Sequence, residues 1–106
     1  MRVLLDECVP QRLRHDIVGH LVNTVPAMGW ASKTNGDLLR LAEANFDVFV
    51  TTDQRLSHQQ HVADMAIAIV VLIARRNKLQ LLQPLVPELL RVRPLLEPGQ
   101  VKRIGA

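Results

Sequence analysis

The sequence has no tyrosine, one tryptophan and two phenylalanines among 106 residues. That scarcity excludes an aromatic platform of the kind single-strand binders lay under successive bases, so any nucleic-acid contact falls mainly on phosphates. Cys8 is the single cysteine, so no internal disulfide can form. A strand pattern starts at residue 2 with no leader-like segment ahead of it, and the expected compartment is therefore the cytoplasm. The longest apolar run, residues 65–74, is about half of a membrane span, so no membrane partner is expected. No Gly-rich phosphate loop and no GxSxG elbow occur. His58 and His61 stand three apart without a cysteine or third histidine close by, which reads as solvated helix rather than zinc.

What is present fits one globular domain over residues 1–106. Hydrophobic residues make up 48% and charged residues 22%, too apolar a balance for a disordered chain. The net charge of +3 is unevenly placed. Residues 1–64 hold six Lys/Arg against eight Asp/Glu, a balance of −2, whereas residues 65–106 hold seven against two, or +5. Such a division suits a protein that gathers cations in one region and phosphates in another.

Strand and helix signals alternate from end to end, the pattern of an α/β domain with a mostly parallel sheet. Strands are expected over Arg2–Leu5, His20–Val25, Phe46–Thr51, Ile67–Leu72 and, after the Pro98-Gly99 turn, Gln100–Ile104 at a sheet edge. A first helix is expected to begin near Pro10, bury Val9, Leu13 and Ile17, and stop before Gly19. A second, "NGDLLRLAEA", takes Asn35 as its N-cap and turns Leu38, Leu41 and Ala42 inward. Ser57 and Gln60 have capping-box spacing for a short helix through His61 and Val62. The last helix follows Asn77, buries Leu79, Leu82, Val86 and Leu89, and is kinked or broken at Pro84.

Two of the strand-like runs end on acids. "RVLLDE" stops at Asp6 and Glu7, and "VFVTTDQRL" carries its strand into Thr51, Thr52 and Asp53. In an open α/β sheet, ligands collect beyond the carboxyl ends of strands where the strand order reverses. With the order 2-1-3-4, strands one and three flank that point and bring Asp6 and Asp53 to about one strand spacing, ~5 Å. Two carboxylates that close repel unless a proton or a divalent cation lies between them. An all-oxygen donor set favours Mg²⁺ or Mn²⁺. Glu7 reads as a loop acid or a third ligand. Thr52 can shape the site through its hydroxyl, whereas Thr51 reads as an ordinary strand residue. Cys8 reads as a bystander.

"LLDECVP", the helix "NGDLLRLAEA" and "DVFVTTDQRL" together resemble the PIN-like nuclease superfamily, in particular its small VapC-related branch. The resemblance runs from residue 2 to about residue 74, and its most specific motif is the T-x-D strand ending. It implies a three-layer α/β/α sandwich, Mg²⁺- or Mn²⁺-dependent cleavage of RNA, and often a toxin silenced by a cognate antitoxin protein; a second copy of the chain is a further candidate partner. Asp6 and Asp53 match the family's catalytic metal ligands, and Glu7 an acid frequent in this branch. The family's middle acid falls on Asn35, a departure that removes one charge from the metal site. Asp37 is the nearest acid, but two residues along a helix is about 200° around it. Arg75, Arg76 and Lys78, after the fourth strand, are the expected contacts to RNA phosphates.

Two other readings fit parts of the pattern. A phosphoacceptor receiver domain also places acids after strands one and three, but it needs a hydroxyl residue after strand four and a lysine after strand five. A PIN-like module that binds RNA or a protein without cutting is favoured by Asn35.

Overall fold

Three runs dense in Val, Leu and Ile form the middle of a sheet because both of their faces are covered. They are β1 (Arg2–Leu5), β3 (Val48–Thr51) and β4 (Ala68–Ile73), in which every residue but Arg2 and Ile73 is buried. The flanking strands β2 (Leu21–Thr24) and β5 (Val101–Gly105) are more exposed, as befits sheet edges. These five strands are seen in a computed structural model that describes residues 1–58 and 62–105. They follow the order β2-β1-β3-β4-β5, and every pairing is parallel. The 2-1-3-4 order expected from the sequence is therefore the observed one, with β5 added at the edge.

Helical segments cover both faces of this sheet. On one face, Val3, Leu5, Val48, Val50, Val70 and Leu72 pack against Leu13, Leu82, Val86 and Leu89. On the other, Leu4, Phe49, Ile69 and Val71 pack against Leu38, Leu39 and Ala42 of α1 (Asn35–Glu43). The period-two alternation of Val3, Leu4 and Leu5 between the two faces is what the strand geometry requires.

The helices are shorter than their sequence patterns imply. In place of the first helix there is a single 3₁₀ turn, Gln11–His15, whose start at Pro10 has no side-chain cap. A segment this short cannot offset the cost of helix nucleation by itself; its conformation is fixed by Val9, Leu13 and Ile17, all buried as expected. The last helix is divided at Pro84. α2 (Leu79–Leu82) gives way to a 3₁₀ turn at Gln83–Leu85, and α3 (Val86–Val92) resumes the coil, as the missing proline N–H dictates. Further 3₁₀ turns lie at Gln54–His58 and Val62–Asp64, while the part of the Ser57–Gln60 capping box and its helix that falls on residues 59–61 lies outside the described residues.

α1 departs from expectation at its start. Thr34, not Asn35, is the N-cap, its hydroxyl accepting the Asp37 N–H at 3.3 Å. Leu39 joins Leu38 and Ala42 in the core, and Leu41 is exposed. Among the described residues, no helix is long and apolar enough to cross a membrane.

Candidate functional site

The β1–β3 ladder continues one step past β1, because the Asp6 N–H donates to the Val50 carbonyl at 2.9 Å. Asp6 is thereby set beside Thr51 at the carboxyl edge of the sheet. The strand order reverses here, between β1 and β3. Asp6 is only 7% exposed, and its carboxylate is held from two sides. The Thr51 hydroxyl donates to Oδ2 at 2.7 Å and the Glu7 N–H donates to Oδ1 at 2.8 Å. A buried carboxylate without such donors would carry a large desolvation cost.

Thr51 also accepts the Asp53 N–H, at 3.0 Å. One fully buried hydroxyl thus ties the first acid to the backbone of the second. Thr52 Oγ1 donates to Cys8 Sγ at 3.1 Å, and Cys8 Sγ lies 3.5 Å from Asp6 Oδ2. Thr52 and Cys8 therefore buttress the Asp6 side of the site.

The Asp53 carboxylate is engaged differently. Arg55 grips it with a fork, Nε to Oδ1 at 3.0 Å and Nη2 to Oδ2 at 2.9 Å, while the Arg55 N–H also donates to Oδ1 at 3.0 Å. Bidentate guanidinium–carboxylate pairs of this kind are the stronger class of charge-assisted hydrogen bond. The Arg55 side-chain bonds hold the Asp53 carboxyl below the ordinary carboxylate range; burial opposes that shift, and a side-chain hydrogen bond from Asn35 adds to it.

Asp6, Glu7, Cys8, Asn35, Thr52, Asp53 and Arg55 line one open cleft of about 490 Å³. The structure thus brings Asp6, Glu7, Asn35, Thr52 and Asp53 to one cleft. Glu7 is exposed on the rim, where Oε1 accepts the Ser32 N–H at 3.4 Å. Asp37 is turned away, into a separate cleft shared with Lys33, Arg40 and Leu41. Arg75, Arg76 and Lys78 line a third cleft of about 420 Å³. Asn77, between them in sequence, faces the acidic cleft instead, so the loop after β4 is a wall common to both.

Sequence reasoning misses Thr51 and Arg55. Thr51 differs from a filler strand residue only in being polar where the strand is wholly buried. Arg55 is foreshadowed by an Asp with a cation two residues on, a spacing common in solvated loops and uninformative alone. The receiver reading fails on position: β4 is followed by Ala74 and Arg75 rather than a hydroxyl, and Lys102 lies within β5 rather than after it. The strand order itself is shared with that class of fold.

The donor set can be tested against a divalent ion. Asp6 and Asp53 supply two carboxylates and Asn35 a neutral amide. Among the described residues, no group of three or more His, Cys, Asp and Glu side chains is placed to hold a metal. Zinc does not fit such a set. Mg²⁺ or Mn²⁺ does, because Mg²⁺ characteristically binds through one or two carboxylates together with waters and substrate phosphate.

Compared with known proteins, the chain matches no family model, no curated sequence and no solved structure.

Proposed function

We propose that this protein is a PIN-like ribonuclease that hydrolyses RNA phosphodiesters with Mg²⁺ or Mn²⁺ bound between Asp6 and Asp53. The observation that carries the reading is the hydrogen-bonded chain from Asp6 through the buried Thr51 hydroxyl to the Asp53 N–H, at the carboxyl edge where the strand order reverses between β1 and β3. Asp6 and Asp53 would hold the ion, whose chemistry there would be to acidify a water and offset charge on the phosphate. The chain's own residues do the rest. The Thr51 hydroxyl and the Glu7 amide fix the Asp6 carboxyl in the lining of the cleft. Thr52 and Cys8 pack behind it. Glu7, at the rim of the same cleft, would accept the proton that an attacking water loses. Arg75, Arg76 and Lys78, on the adjoining wall, take phosphates upstream or downstream of the scissile one. The resemblance extends the proposal to a toxin held silent by a cognate antitoxin.

A second reading is favoured by one observation. Arg55 donates to both oxygens of Asp53, and Asn35, in the same cleft, also favours its charged form, so this acid is already compensated. On that reading the cleft binds RNA or a protein without cutting. Incubating purified protein with single-stranded RNA, with and without Mn²⁺, separates the two: metal-dependent cleavage supports the nuclease, and retention of intact RNA supports the binding module.

A further inference from the structure

Arg55 occupies both oxygens that a metal would need at Asp53. Its side chain is 86% exposed, whereas that of Asp53 is 19% exposed. The acid is therefore fixed in the cleft and the guanidinium reaches it from the solvent side. An exposed pair of this kind is easily exchanged, since water and salt compete for both partners. With Arg55 in place, Asp6, Asp53 and Arg55 sum to a single negative charge, a poor match for a divalent ion. With Arg55 drawn away, the two acids regain both negative charges.

A phosphodiester entering the cleft offers the guanidinium an alternative partner of the same geometry, two oxygens accepting a planar fork. Arg55 lines the same cleft as Asp6 and Asn35, so the exchange requires only rotation of an exposed side chain. We propose that Arg55 is an exchangeable internal cation that couples metal binding to substrate binding: it neutralises Asp53 in the empty site and passes to the phosphate when substrate arrives, opening Asp53 to the divalent ion. This inference rests on the metal-dependent reading of the cleft. Because coupling between two ligands is reciprocal, the ion must strengthen substrate binding by the same factor.

The test measures Mn²⁺ affinity by titration calorimetry, with and without a non-cleavable 2′-O-methyl single strand, for wild type, Arg55→Gln and Arg55→Lys. In wild type the oligonucleotide should tighten Mn²⁺ binding by roughly 5- to 150-fold, the usual range for coupled sites. Arg55→Gln should bind Mn²⁺ alone several-fold more tightly than wild type and show a much smaller effect of the oligonucleotide; Arg55→Lys should fall between them. If Arg55→Gln matches wild type in both quantities while Mn²⁺ still binds, the coupling role is overturned and the metal site stands. If no protein binds Mn²⁺ even with the oligonucleotide present, the coupling role and the metal-dependent reading fall together.

Discussion

The Thr51 hydroxyl donates a 2.7 Å hydrogen bond to the carboxylate of Asp6 and at the same time accepts the backbone N–H of Asp53. It is fully buried. A single β-branched side chain at the end of β3 therefore sets the relation between two acids that are 47 residues apart in sequence. The position of the site is a property of strand register, not of a flexible loop.

Thr51→Val tests this directly. Valine keeps the shape and the strand preference but removes the short donor to Asp6 Oδ2, leaving it only Cys8 Sγ at 3.5 Å, and takes away the acceptor of the Asp53 N–H. Loss of stability of about 1–3 kcal/mol is expected, read as a lower urea midpoint with an unchanged slope. An unchanged midpoint would show that the two acids are held by other means.

Asn35→Asp addresses the departure from the family's pattern. The side chain lines the same cleft as Asp6, Glu7 and Asp53, so the substitution adds a fourth carboxylate there. Mn²⁺ affinity should rise by roughly tenfold, equivalent to ~1.4 kcal/mol, with cleavage rising alongside it. Mn²⁺ titration that gives the same affinity for both proteins would mean that position 35 does not face the ion.

The wall formed by Arg75, Arg76 and Lys78 should reveal itself in salt dependence. For a single strand, each phosphate contact contributes about 0.7 to the slope of log K against log salt. Arg75→Ala and Arg76→Ala should each flatten that slope by about this amount while weakening binding at low salt. Identical slopes in wild type and variants would place the RNA elsewhere.

Much of this arrangement is legible in the sequence, for physical reasons that differ by residue. The strand order follows from short buried runs joined by crossovers, and Asp6 and Asp53 stand out because acids at the ends of apolar strands are conspicuous. Pro84 announces its break through a missing N–H. The N-cap of α1 is less legible, because Thr34 and Asn35 are both good caps and only the backbone, extended at Thr34, decides between them. That one-residue shift frees Asn35 to face the cleft. Leu41 is another such case: it falls on the helical period, yet Leu39 takes its place against the sheet. Arg55 is the least legible, since its importance lies in which carboxylate it reaches, a matter of side-chain direction rather than spacing.

The most direct measurement of the central claim is single-turnover cleavage of an end-labelled single-stranded RNA by wild type and Asp6→Asn across a Mn²⁺ titration. With only two firm carboxylates, activity is expected to need metal in the millimolar range, to vanish with EDTA, and to be lost in Asp6→Asn, while that variant keeps the wild-type circular dichroism spectrum. Cleavage that persists in Asp6→Asn at the wild-type rate, or that proceeds in EDTA, would contradict the assignment of Asp6 and Asp53 as the metal-dependent catalytic pair.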